Sequence, residues 1–200
     1  MSRASPAPRQ VLVIACGALA REILAIVETN KLDHIRLECL PANLHNTPKK
    51  IPDAVRAAIR EARPRFSRIF ISYADCGTGG LLDKVIAEEG VSRLPGAHCY
   101  AFFSGVDAFT ERAEADMRAF FLTDFLARQF EAMVIEPLGL DRHPELRDMY
   151  FGNYEKLVYL AQTEDAELQA KARAAAKRLG LAYEYRYTGF GDLAPGLAKL

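Results

Sequence analysis

The chain lacks an excess of either charge: 26 Lys and Arg stand against 26 Asp and Glu in 200 residues. A nucleic-acid footprint needs clustered basic residues, so nucleic acid is not an expected partner. The one dense basic stretch, Lys171 to Arg178, alternates with alanine and reads as a solvated helix face. No apolar run approaches the roughly 18 residues of a membrane span, and no membrane partner is expected. The apolar residues before Cys16 are too few for a secretory signal core of about 7–15 residues. They suit a buried strand. The expected setting is the cytoplasm, where thiols stay reduced.

Other patterns are missing too. No C-x-x-C pair occurs, which excludes a compact metal finger. Neither a G-x-G-x-x-G turn nor a phosphate loop with its lysine is present, so a nucleotide is not indicated. No Ser-His-Asp order or nucleophile elbow is visible.

What the chain does have is four cysteines, each just past an apolar run: VLVIA-Cys16-Gly17, IRLE-Cys39, RIFISYAD-Cys76-Gly77 and His98-Cys99. Their spacings are 23, 37 and 23 residues. If the runs are parallel strands of one sheet, all four thiols lie along its carboxyl edge, where open α/β sheets bind ligands.

The rest of the chain supports that arrangement. Residues 1–10 read as a disordered arm. Val11 to Ala15, Ile35 to Cys39, Arg68 to Ala74, Leu157 to Ala161 and Leu181 to Tyr187 read as strands, with a short one near Ser92 to Leu94. Helical spacing marks Ala18 to Glu28, a helix opened by Thr47-Pro48 and stopped at Pro64, one from the glycine turn to Glu89, and Glu164 to Leu179. Strands alternating with helices indicate βαβ units. The expected fold is α/β, with a mainly parallel, doubly wound, Rossmann-like sheet of about five or six strands. A single domain over 11–200 would carry a helical segment at about 105–150. Within it Glu111 to Ala132 reads as a long amphipathic, helical stretch rich in phenylalanine that packs in the core or at a subunit contact, and the segment as a whole would cover the cleft or make a homodimer.

Thiolate and imidazole are the usual zinc ligands, and thiolates also hold iron–sulfur clusters. The candidate metal ligands are Cys16, Cys76, His98, Cys99, Cys39 and His45. Zinc is the expected ion, with an iron–sulfur cluster also compatible. Reactive thiols without metal and plain packing are the competing readings, because cysteine is among the most buried residue types. Gly17 and the Gly77-Thr78-Gly79 turn each lie between a strand and a helix. With Asn46 they are candidates to bind a small anionic molecule through open backbone N–H groups. The same position is expected to lower the pKa of Cys16 and Cys76.

These residues lead to two functional expectations. One is a metal-dependent enzyme that transfers a small group or carries out metal-assisted hydrolysis. The other is a non-catalytic protein that binds or senses a metal, a cluster or a small anion.

The order ACGAL, LHNTP, YADCGTGG, HCYAFFSG, FFLTDFL and YFGNYEKLVYLAQT resembles the bacterial and archaeal group catalogued as domain of unknown function family 1638. The likeness spans about Val11 to Tyr187, and its Cys-Gly and His-Cys elements are the most specific. The family brings no settled activity. The resemblance implies a link to corrinoid-dependent methyl metabolism, hence methyl transfer as the small-group reaction and a corrinoid as a further cofactor. Where relatives are expected to carry Asp-Thr-Gly after the fifth strand, this chain has Ala161-Gln162-Thr163.

Overall fold

The computed structural model describes residues 10–200. The expected arm falls on residues that, apart from Gln10, lie outside the described ones. The chain forms two compact units, one running through Ala97 together with Ala194–Leu200, the other His98–Leu193.

The first unit is built on four parallel strands in the order β2-β1-β3-β4: β1 Val11–Cys16, β2 Ile35–Leu40, β3 Arg68–Ser72 and β4 Ser92–Arg93. Every residue of β1 is buried, as a central strand covered on both faces requires. Helix α1 (Ala20–Thr29) joins β1 to β2, α2 (Ile51–Ala62) joins β2 to β3, and α3 (Leu81–Glu88) joins β3 to β4. Helix α2 buries Ile51, Val55, Ala58, Ile59 and Ala62, a single stripe of helical period.

Strand order decides where this sheet opens. From β1 the chain steps one way to β2, then crosses back to β3 and continues to β4. Right-handed crossovers therefore put α1 on one face and α2 and α3 on the other, and α2 and α3 do pack together. The reversal falls between β1 and β3. A crevice outside their carboxyl ends is the expected ligand position in such a sheet.

The second unit holds three parallel strands in sequential order: β5 Ala119–Thr123, β6 Lys156–Ala161 and β7 Ala182–Tyr187. Its helices are α4 (Cys99–Ser104), α5 (Val106–Glu111), α6 (Asp124–Arg128), α7 (Arg147–Phe151) and α8 (Ala166–Leu179). A last helix, α9 (Leu193–Ala198), leads back into the first unit. Helix α8 has clear ends. Asp165 accepts from the N–H groups of Glu167 and Leu168 at 2.8 and 3.1 Å, and left-handed Gly180 closes the other end. Three of its four basic residues are partnered: Lys171 pairs with Glu167, Arg178 with Glu131, and Arg173 stacks on Tyr183.

The parallel α/β architecture agrees with the sequence, and two details differ. Among the described residues seven strands form two sheets instead of one of five or six. The window Glu111 to Ala132 is not one helix: Ala119–Thr123 is strand β5, and Thr123 caps the short helix after it by accepting from the Leu126 N–H at 3.4 Å. A short apolar run whose two faces are both at least partly covered has no period of its own, so its phenylalanines fit a helical template equally well. No helix of the described residues is long and apolar enough to cross a membrane.

Candidate functional site

Cys16 is the last residue of β1 and is 2 % exposed. The chain turns there into a short 3-10 helix, Gly17–Leu19, and Cys16 is its N-cap, accepting the Ala18 N–H on Sγ at 3.4 Å. Gly17 is needed at this turn because a Cβ would stand 3.0 Å from the Leu40 carbonyl oxygen. The chain after β2 therefore passes directly over the end of β1. It continues as a 3-10 helix, Ala42–Asn46. This brings His45 Nδ1 to 3.6 Å from Cys16 Sγ and 3.3 Å from the Ala42 carbonyl oxygen. In a neutral pair the Nδ1 lone pair can receive the S–H. Once the proton has crossed, the imidazolium N–H has both the sulfur and the Ala42 carbonyl as acceptors.

Tyr73 follows β3 and is fully buried. Its hydroxyl lies beside the Cys16 sulfur and stabilises charge there, yet no hydrogen bond of proper geometry is completed to it or to any described residue. Burial pushes the phenol well above the ordinary tyrosine range, and the thiols of Cys16, Cys76 and Cys39 push the same way. Burial also raises the Cys16 thiol, and the Ala18 N–H and Tyr73 offset only part of that. The lowered Cys16 pKa expected from the helix N-terminus is thus corrected, because desolvation outweighs the donors. Cys39, on edge strand β2, is raised first by desolvation and then by the charges of Cys16 and Glu38.

After Tyr73 the backbone is unusual. Cys76 is buried with φ of +51°, in the left-handed region that a residue with a Cβ seldom enters. Its N–H donates to the Ala97 carbonyl at 2.9 Å. Gly77 at +83° stands against Pro48, so this turn too meets the segment that carries His45. Asp75 fills the glycine turn from within. It accepts from the Thr78 hydroxyl at 2.5 Å, the Gly80 N–H at 2.9 Å and the Gly79 N–H at 3.1 Å. Burial pushes its carboxyl up, but these donors and Arg93 bring it below the usual range. The turn expected to bind an outside anion already holds a carboxylate at Gly79 and Gly80.

The first unit thus gathers Cys16, His45, Tyr73, Cys76 and Cys39 at the carboxyl ends of β1, β2 and β3. Asn46 is exposed on the covering segment. His98 and Cys99 belong to the second unit, where His98 is extended ahead of α4 and Cys99 is its first residue. No disulfide joins the four thiols. Among the described residues no three His, Cys, Asp or Glu side chains are placed to hold one metal ion. Cavities open elsewhere among the described residues. One of about 340 Å³ lies at the amino end of the first sheet, by Val11 and Arg68. Two of about 450 and 420 Å³ lie in the second unit.

Two groups escaped the sequence reading. Tyr73 was hidden inside an apolar run, and only its position two residues before Asp75-Cys76 hinted at the site. The other is Asp124, with no exposed surface, where α6 begins. Its Oδ1 accepts from the Tyr159 hydroxyl at 2.6 Å and the Gln162 N–H at 3.1 Å, and Oδ2 accepts from the Thr163 hydroxyl at 2.6 Å. A charged residue in the apolar stretch FFLTDFL was the available signal.

The chain belongs to the family described as protein of unknown function DUF1638, whose model matches residues 39–197. The match begins at Cys39, so β1 and Cys16 precede it. No curated protein and no solved structure matches the chain.

Proposed function

We propose that the crevice at the carboxyl ends of β1 and β3 is a thiol-based active site acting on a small, polar or anionic molecule in a reducing, cytoplasmic setting. The observation that carries this reading is the 3.6 Å approach of His45 Nδ1 to Cys16 Sγ at the point where the strand order reverses. Burial keeps Cys16 protonated at rest, so the thiol needs a base as it attacks. His45 accepts the S–H proton while sulfur bonds to an electrophilic carbon. The imidazolium, steadied by the Ala42 carbonyl, then returns the proton to the leaving group. Cys16 is almost fully covered, and reaction requires the segment Ala42–Asn46 to move aside.

A second reading is a zinc enzyme, and the same distance favours it. Zn–S near 2.3 Å and Zn–N near 2.0–2.1 Å at a tetrahedral angle put sulfur and nitrogen about 3.6 Å apart. A third ligand would then have to come from Cys39 or Cys76 by side-chain rotation.

One experiment separates the two. Untagged protein is analysed for metal, and Cys16 alkylation by iodoacetamide is followed by peptide mass spectrometry. The thiol reading expects metal-free protein and a rate that rises to beyond about pH 9 without a plateau near neutrality. It also expects His45→Gln to slow the reaction at neutral pH by about 10²-fold. Stoichiometric zinc that shields Cys16 and is lost in Cys16→Ser would replace it with the metal reading.

A further inference from the structure

The Tyr73 hydroxyl has no exposed surface and no hydrogen-bond partner among the described residues. A buried hydroxyl left without a partner is costly, and such groups in folded proteins call for an explanation. Ser72 Oγ, the Tyr183 hydroxyl and Arg128 Nη1 are also unpartnered; the Tyr73 hydroxyl is set apart by standing beside Cys16 and feeling the charge of Cys76 and Cys39 as well.

We propose that Tyr73 is a catalytic donor to an oxygen on the reacting carbon, so that the substrate of the Cys16 site is a carbonyl compound of the ester or thioester class. This rests on the thiol reading above and goes further by naming the substrate class. When Cys16 sulfur attacks a carbonyl carbon, the C=O π electrons move to oxygen. The thiol proton passes to His45. An oxyanion then stands one bond from the new S–C bond, in reach of a donor beside the sulfur. As the intermediate collapses, the C=O re-forms and the alkoxide or thiolate leaves with the His45 proton. Water hydrolyses the remaining thioester by the same sequence, releasing a carboxylic acid and restoring the thiol. A methyl donor attacked by Cys16 would develop no such oxygen and would leave Tyr73 unused. The phenol suits the task because it stays protonated at neutral pH. A donor fixed in a dry site stabilises a forming oxyanion without reorganising.

The test compares two reagents on the same thiol in the full chain. p-Nitrophenyl acetate acylates sulfur through an oxyanion and releases p-nitrophenolate. Iodoacetamide alkylates sulfur by displacing iodide, with no oxyanion at the reacting carbon. Tyr73→Phe is expected to slow acylation of Cys16 by about 10²-fold and to slow alkylation far less, only by the share of the thiolate's stabilisation that the hydroxyl supplies. The ratio of the two rates is internal, so it holds even if the variant is less well folded. Equal effects on both reagents, or no effect on either, would overturn the role of Tyr73. If Cys16 reacts with neither reagent in the parent protein, the thiol reading itself fails, and this proposal with it.

Discussion

Tyr73 and Tyr159 are both fully buried, and both lie toward the carboxyl end of a parallel sheet. Their hydroxyls are treated in opposite ways. Tyr159 donates to Asp124, whose carboxylate also takes the Gln162 N–H and the Thr163 hydroxyl, while the Gln162 side chain closes the loop. Its Oε1 accepts the Asp124 N–H at 2.8 Å, and its Nε2 donates to the Leu160 carbonyl at 2.7 Å. Arg128 stands 3.7 Å from the same carboxylate. At the other sheet, Tyr73 is left open beside a buried thiol, and Cys76 is held at positive φ. The strand orders differ in the same sense. The first sheet reverses between β1 and β3, the position at which such sheets bind ligands; the second runs β5-β6-β7 in sequence and has no such reversal. The second unit also keeps unpartnered buried atoms, Arg128 Nη1 and the Tyr183 hydroxyl, so the contrast lies in the two tyrosines and their places in the strand order: a hydroxyl tied to a carboxylate holds a fold together. One left unsatisfied at a topological reversal is shaped for something from outside.

The strongest way to break that contrast is to remove the centre of the closed network. Asp124→Ala would leave the Tyr159 hydroxyl, the Thr163 hydroxyl and the Gln162 N–H buried without their acceptor, with the Arg128 charge nearby. The expected loss is about 3–5 kcal/mol in urea unfolding. Asp124→Asn, which keeps one carbonyl oxygen, should lose clearly less. A loss under about 1 kcal/mol for the alanine variant would mean the network is not structural, and the comparison would fail on that side.

The matched pair of tyrosines sharpens the same contrast with a smaller effect. Tyr159→Phe removes one hydrogen bond to a carboxylate and should cost about 1.5–3 kcal/mol. Tyr73→Phe removes a hydroxyl with no partner and should be neutral or slightly stabilising. Equal losses at the two positions, measured by the same unfolding titration, would show that Tyr73 is bonded in solution and would remove the contrast between the two tyrosines.

Much of this was legible in the sequence because it is local. Val11 to Ala15 and Leu157 to Ala161 are uninterrupted apolar runs, and they became the two central strands. The stripes of α2 and α8 follow helical period, and Asp165 and Gly180 mark the ends of α8. Cys16, Cys76 and His45 could be nominated because thiol and imidazole after strands are chemically unusual. What escaped depends on tertiary pairing. Strand β5 was hidden because Phe120, Phe121, Phe125 and Phe130 also suit a helix. The division into two sheets depends on which strands pair, which no local window contains. The rise in the Cys16 pKa reflects burial, whereas the sequence showed only the helix start beside it. Asp75 sits next to the glycine turn in plain view, but its role as the turn's own anion depends on φ values that only the fold reveals.

The smallest effect concerns the backbone that brings the first sheet's edge to its thiols. Gly77 sits at φ of +83°, and a Cβ there would meet only Pro48 side-chain atoms at 3.6 and 3.7 Å, ordinary contact distances. Gly77→Ala therefore adds no clash, and its cost is conformational. A Cβ in the left-handed region costs roughly 1–2 kcal/mol, partly offset by the lower entropy of the unfolded alanine chain, about 0.4–1 kcal/mol. The net loss expected in urea unfolding is about 1 kcal/mol. Gly17→Ala tests the other mechanism, because there φ is not positive and the Cβ would press on the Leu40 carbonyl at 3.0 Å. If the turn after Tyr73 is rigid as drawn, Gly77→Ala should weaken the first unit and leave the Asp124 network of the second unchanged, as read by hydrogen exchange at the Gln162 amide. A Gly77→Ala variant as stable as the parent would mean that this turn relaxes readily to negative φ. The strained placement of Cys76 next to it would then lose its significance for the site, and the case for the first sheet's edge would rest on Cys16, His45 and Tyr73 alone.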